Sequence, residues 1–383
     1  MIRIEMNSTG LYVHVPFCVK KCSYCSFYSI ECDEMLVTRF RSMLCAEMER
    51  KAAGVSIGTV YAGGGTPTIL PPEFWSGFLS TLDEIADTSD VPEITIETNP
   101  GAVLPEALAE FREAGFNRLS IGIQSFDSRE LETLSRIHNP EQAIITFNHA
   151  RDAGFQNIGI DLIYGIPGQT PDDWRNNLKK AIELSPEHIS CYELSIENGT
   201  PIADLINNRE LSKPSEEHCS QMYYIADEYL KEAGYVHYEV SNYARGDENI
   251  SRHNSSYWNR IPYIGLGPSA HSFDGKRTRS WNVCEIDEYL SLIEQGRSPV
   301  EETEELDSHE IALEMLMLGL RWQTGADIEK IEEKTGFRVN EQYLDRMIGS
   351  GRVQISGSRI LPTTEGMLFA DGDAADLMEV SEV

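Results

Sequence analysis

Three stretches of this chain, "REAGFNRLSIGI" (112–123), "RDAGFQNIGIDL" (151–162) and "KEAGYVHYEVSN" (231–242), repeat one junction. Each runs through a charged helix end, Ala-Gly, an aromatic residue and then a strand-like run. A glycine there (Gly115, Gly154, Gly234) suits the left-handed residue at which a helix stops and the chain turns back into a strand. Strand-like runs alternate with amphipathic stretches from residue 11 to about 240. The runs are "LYVHVPF", "TVYAGG", "EITIETNP", "RLSIGIQSF", "NIGIDLIYGIPG" and "HISCYELSI". Such alternation predicts βαβ units on a parallel sheet, in the α/β class. Six units make a partial (β/α)6 TIM-type barrel, whose working residues lie at the C-terminal ends of the strands.

The pattern breaks at "GRSPVEETEEL", near 296–305. Beyond it, three helical stretches and a hairpin-like "RVQISGSRILPTTEG" predict a smaller, mostly helical, winged-helix-like domain. The sequence thus divides into 1–295 and 296–383, the last residues reading as a final helix or an acidic tail. A formal charge of −30 repels phosphate backbones, so nucleic acid is not expected as a partner. The acidity fits a solvated surface, or a docking face for a cationic partner. No run of 18 apolar residues spans a membrane, so membrane contact would be peripheral. The first residues, "MIRIEMNSTG", do not read as a signal peptide. The eight cysteines do not form a disulfide framework for a chain of this size, which points to the reducing cytoplasm.

Cys18, Cys22 and Cys25 stand in C-x₃-C-x₂-C spacing within "HVPFCVKKCSYCSFYS". The other five cysteines read as buried thiols or bystanders. Three such thiolates could hold zinc or an iron–sulfur cluster, or serve neither. Structural zinc wants four closed ligands, and no second C-x₂-C or H-x₃-H follows. A [4Fe–4S] cube held by three thiolates leaves one iron open for a small molecule, and an open position marks chemistry. Further candidates stand at the ends of successive strands. The glycines of "AGGGTPT" (Gly63, Gly64, Gly65, then Thr66) let backbone approach a ligand closely. Glu97 can accept from ribose hydroxyls or an amine, Gln124 ends the fourth strand, the Arg136 fork suits a carboxylate, and Asp161 can hold a diol.

Together these residues resemble the radical S-adenosylmethionine superfamily, and over the full chain its oxygen-independent coproporphyrinogen III oxidase-like group. The resemblance implies a [4Fe–4S] cluster on Cys18, Cys22 and Cys25, with S-adenosylmethionine on its open iron. It assigns Tyr12, Gly64 and Glu97 to that S-adenosylmethionine. Tyr24, Gly65, Thr66, Gln124, Arg136, Asp161 and Ser195 it assigns to a second one. The oxidase branch carries a fourth cysteine where this chain has Phe27, and a longer N-terminal extension. Both departures match the haem chaperone (HemW) branch, as does "RHNSSYWNR", with His253, Asn254, Tyr257 and Trp258. The branch implies haem bound at that motif, delivered to haem-accepting respiratory proteins. Physically, a neutral imidazole can ligate haem iron, and Tyr and Trp offer flat faces to a porphyrin. His271 is the alternative ligand. A homodimer is compatible with the reading. The competing readings are a coproporphyrinogen III oxidase and another porphyrin-directed radical enzyme.

Overall fold

The computed structural model describes residues 8–378; the end of the acidic tail lies outside them. The repeated junction forms as its residues dictate. Gly115, Gly154 and Gly234 hold φ of 121°, 91° and 85°. The aromatic after each glycine sends its amide back to the helix, as in Phe116 N–H to Phe111 O (3.2 Å), Phe155 to Ala150 (3.2 Å) and Tyr235 to Leu230 (2.9 Å). This satisfies carbonyls that a helix end would otherwise orphan, while the rings of Phe116, Phe155 and Tyr235 are buried in the core. At the opposite ends, helices open on Pro72, Pro105, Pro140, Pro171 and Pro201, where a missing N–H costs nothing.

The strands of the main sheet, in chain order, are β1 (Thr9–Val15), β2 (Ile57–Gly64), β3 (Glu93–Thr98), β4 (Arg118–Gln124), β5 (Asn157–Tyr164) and β6 (His188–Glu193). There follow β7 (Val236–Glu239), β8 (Asn242–Ala244), β9 (Tyr263–Leu266), β10 (His271–Phe273), β11 (Thr278–Asn282) and β12 (Val300–Glu305). Their spatial order is β12-β11-β10-β9-β1-β2-β3-β4-β5-β6-β8-β7. From β9 to β6 every neighbour is parallel. The six predicted βα units are therefore present as a partial barrel, whose parallel core is extended by antiparallel strands at both edges. The third repeated junction launches β7, which β8 separates from β6.

Helices pack against the sheet around Trp75, Phe78, Phe111, Phe116, Trp174 and Leu178, all fully buried or nearly so. Each such side chain contributes about 1.5–3 kcal/mol by leaving water. Glu47 is buried too, yet satisfied: it takes Lys51 Nζ (2.8 Å), the Tyr289 hydroxyl (2.6 Å), Gly267 N–H (2.8 Å) and Asn282 Nδ2 (2.7 Å). That cluster ties the helix Glu34–Ala52 to the loop after β9.

Strand β12, which lies beyond the break in the sequence pattern, pairs with β11 and so joins the main sheet. After it come the helices Ser308–Leu320, Ile328–Thr335 and Glu341–Gly349, then a hairpin of Val353–Ser356 and Arg359–Pro362. They enclose a separate core that includes Leu316, Leu320, Ile331, Met347 and Ile360. This is the predicted helical domain with its wing, and Ala370–Met378 closes it as a helix. Glu314 joins it to the barrel by accepting from Arg260 and Arg279. Among the described residues no helix is long and apolar enough to cross a membrane.

Candidate functional site

A cavity of about 540 Å³ is lined by residues from β2 to β6 and by the cysteine loop. The loop leaves β1, pairs Phe17–Cys18 with Ile30–Glu31, and carries Cys22 and Cys25 between them. The glycine strip of β2 clamps its base: Gly65 N–H donates to Val15 O (2.8 Å) and Thr66 N–H to Phe17 O (2.7 Å). A Cβ on Gly65 would stand 2.5 Å from Phe17 O, and one on Gly64, already at φ 103°, would stand 2.7 Å from the His14 ring. Only glycine permits that approach.

Cys18, Cys22 and Cys25 are free thiols, partly exposed at the cavity wall. Burial pushes the Cys18 and Cys25 thiols above their ordinary range, so a metal must displace their protons to bind. Among the described residues no three Cys, His, Asp or Glu side chains close on a single ion. A spread thiol triplet beside an open chamber suits a multi-iron cluster, whose irons take separate thiolates.

A hydrogen-bonded chain runs between two of these thiols. Arg136 donates from Nη1 to Cys22 Sγ (3.4 Å), and from Nη2 to Asn99 Oδ1 (2.6 Å) and Gly122 O (2.5 Å). Asn99 Nδ2 donates to Thr66 Oγ1 (2.9 Å), which leans on Cys18 Sγ (3.9 Å). Such outer contacts orient metal ligands. Tyr24 is half-buried beside Arg136, and desolvation raises its phenol strongly. Gln124 adopts φ 68° where the β4–β5 register shifts, a conformation that costs a non-glycine residue on the order of 1 kcal/mol.

Deeper in the chamber, Glu97 accepts from the Tyr61 hydroxyl (2.6 Å) and Gly64 N–H (3.2 Å), and burial pushes its carboxyl up to about 7. Asp161 accepts from Ser120 Oγ (3.1 Å), and burial raises it as well. Of the residues expected at the S-adenosylmethionine sites, all but Tyr12 line this cavity, Ser195 at its edge included. Tyr12 lies under the wall, bonded to His14 Nδ1 (3.1 Å) and stacked on Tyr61 and His253.

The "HNSSYW" segment departs from expectation. It forms the short helix Arg252–Trp258, packed against β2, with Glu93 accepting from Arg252 and His253 N–H (2.8 and 3.0 Å). His253 is 1% exposed; its Nδ1 meets Thr59 Oγ1 (2.8 Å), its Nε2 meets the Tyr257 hydroxyl (2.9 Å), and its ring stacks on Tyr61 at 5.0 Å. Burial pushes its pKa down to about 3. The imidazole is neutral, as a ligand must be, and both of its nitrogens are engaged within the protein. Tyr257 is turned to His253, Trp258 packs with Tyr238 and Trp322, and of the four motif residues Asn254 alone reaches the cavity. His271 is exposed on β10, its ring 5.5 Å from that of Trp281.

The sequence reading missed Tyr61, Asn99, Arg118, Ser120 and His188, which also line the cavity. For Tyr61, Arg118, Ser120 and His188 the signal was the period-2 alternation of β2, β4 and β6, where every second residue faces inward; Asn99 follows the end of β3, two residues beyond Glu97.

Comparison with known proteins sets this geometry in a family. Residues 12–181 match the Radical SAM superfamily and residues 306–369 the HemN C-terminal domain. The chain is 33% identical over 376 residues to the protein named heme chaperone HemW of Mycobacterium tuberculosis H37Rv, covering 96% of this chain and 94% of that one. It is 32% identical over 367 residues to the heme chaperone HemW of Bacillus subtilis 168, covering 94% and 96%. The crystal structure of coproporphyrinogen III oxidase, HemN, from Escherichia coli superposes with a TM-score of 0.83 at 25% identity, covering 97% of this chain and 90% of that one. The chain belongs to the radical SAM superfamily, in the family of these HemW proteins, and that membership implies a [4Fe–4S] cluster and S-adenosylmethionine.

Proposed function

We propose that this radical SAM protein of the HemW family is a cytoplasmic haem chaperone, which binds haem and passes it to haem-accepting respiratory proteins. Cys18, Cys22 and Cys25 would hold the cluster. When bound, the cluster supplies one electron and an open iron for S-adenosylmethionine. Gly64, Glu97 and Tyr12 would serve that molecule, the last from behind the wall. Tyr24, Gly65, Thr66, Gln124, Arg136, Asp161 and Ser195 would line a second site. Arg136 and Thr66 would steady the thiolates from outside.

The observation that carries the haem reading is the rim of the cavity. Phe27, in the place of the oxidase branch's fourth cysteine, is 67% exposed, and Val19, Ile137 and Tyr192 around the same opening are 57%, 52% and 39% exposed. Large apolar groups gathered at a cavity mouth mark a binding surface. Lys20 and Lys21 stand beside them, in a chain whose formal charge is −30. A flat apolar macrocycle with two carboxylates matches an apolar rim flanked by two cations. The relatives named haem chaperones support the same reading. Asn254 is the contact through which the "HNSSYW" helix would meet a ligand; His271, the alternative axial ligand, is exposed on β10 outside the cavity lining.

Haem titration of the cluster-loaded protein and of the double variant Phe27→Asp/Ile137→Asp tests this. The charges should weaken binding about 10- to 100-fold, since covering a large apolar side chain with the ligand is worth about 1.5–3 kcal/mol. Equal affinity would remove haem from the rim. Anaerobic conversion of coproporphyrinogen III to protoporphyrinogen IX would instead make the protein the oxidase.

A further inference from the structure

Arg118 opens β4 and is only 2% exposed, yet it lines the cavity. A buried guanidinium is costly unless paired and hydrogen-bonded. Here Nε has no acceptor, and no carboxylate of the described residues lies within the 4.0 Å of an ion pair. The acids whose charge reaches it are committed elsewhere: Glu93 to the amides that begin the helix Arg252–Trp258, Asp161 to Ser120 Oγ. Glu97, a third acid of the chamber, is held by Tyr61.

His188, 1% exposed on β6, faces the same space. Its Nε2 stands 2.7 Å from the Tyr238 hydroxyl, while its Nδ1 has no partner. A buried phenol must place its proton, and Nε2 is the partner given to it. That assignment leaves the histidine as the Nδ1–H tautomer, a donor aimed at nothing. The guanidinium and the imidazole converge. A point one Cβ length from Gly159 on β5 lies 3.4 Å from Arg118 Nη2, 3.5 Å from His188 Nδ1 and 3.4 Å from Ser120 Oγ. With no side chain on Gly159, the guanidinium, the imidazole and the Ser120 hydroxyl gather over its backbone, and Arg118, Ser120 and His188 line the cavity.

We infer that Arg118 and His188 form a carboxylate-binding subsite over Gly159, at the inner end of the chamber, for the molecule that occupies it. The planar guanidinium fork matches a carboxylate, and the space over a single glycine is compact. The carboxylate can come from the methionyl end of S-adenosylmethionine or from a tetrapyrrole propionate; the second source rests on the haem reading above.

The test changes the ligand first. Anaerobic, cluster-loaded wild type, Arg118→Gln and Arg118→Lys are titrated with S-adenosylmethionine against its decarboxylated analogue, and with iron mesoporphyrin IX against its dimethyl ester. In one pair the acid should bind wild type about 10- to 100-fold more tightly, the range of a charge-assisted contact. That preference should fall below about 3-fold in Arg118→Gln and be intermediate in Arg118→Lys, which keeps the charge but loses the fork. The pair that responds identifies the source. Equal binding of acid and blocked form in both pairs would overturn the subsite, and so would a preference that survives Arg118→Gln. If Arg118→Gln fails to take up the cluster, wild type and Arg118→Lys decide: a preference in Arg118→Lys equal to that of wild type would overturn the subsite. If neither porphyrin binds while the S-adenosylmethionine pair discriminates, the haem reading falls and the subsite stands.

Discussion

Replacing Glu97 with glutamine and following stability against pH isolates one half-buried carboxyl of the cavity wall. Burial pushes Glu97 up to about 7 from the ordinary 4.5, although the Tyr61 hydroxyl and Gly64 amide already hold it. The folded-state pKa is the higher one, so the folded protein keeps this proton longer than the unfolded chain does. The contribution to stability is therefore full below about pH 4.5 and is lost as pH rises through about 7. At ~1.4 kcal/mol per pH unit, the loss is on the order of 3 kcal/mol above pH 7. Glutamine keeps an oxygen for Tyr61 and carries no charge at any pH. Glu97→Gln should thus match wild type within about 1 kcal/mol at pH 5 and exceed it by up to about 3 kcal/mol at pH 8.5. Glu239, buried and likewise raised to about 7, bends both curves alike and cancels in the difference. Urea unfolding of the cluster-free protein, followed by circular dichroism at pH 5, 7 and 8.5, gives that difference directly. A constant gap across these pH values would mean that Glu97 titrates as a solvated carboxyl, and its desolvation in the chamber would be refuted.

Three other outcomes follow from the same structure. Alanine at Cys18, Cys22 or Cys25 should abolish the bound iron and its absorbance, while Cys45→Ala, away from the cavity, should leave the iron content unchanged. His253→Ala removes two side-chain hydrogen bonds and a buried ring, so it should cost about 2–4 kcal/mol in unfolding while bound haem keeps its wild-type spectrum; a lost haem spectrum at undiminished stability would show that the imidazole does reach the iron. Glu47→Ala strips four donors of their shared acceptor and should cost about 3–5 kcal/mol, read as an earlier urea midpoint; a loss under about 1 kcal/mol would contradict its placement.

What was legible in the sequence was local. Gly115, Gly154 and Gly234 carry the helix-to-strand turn in their own backbone freedom, so six βα units in sequential order could be counted from the chain alone. The cysteine spacing likewise sits within one loop, and strand-end residues such as Glu97 and Asp161 meet because parallel strands bring equivalent ends to one rim. Partners distant in sequence were decided only by folding. Nothing adjacent to Arg118 marks it as facing His188, 70 positions on, because that meeting depends on which strands neighbour each other and in what register. The "HNSSYW" residues show the limit most plainly. Their chemistry suits haem in isolation, but whether an imidazole is open depends on what covers it. Here Thr59 from one strand, Tyr61 stacked over the ring and Tyr257 one helical turn away take up the ring nitrogens and a ring face, and that is a property of packing.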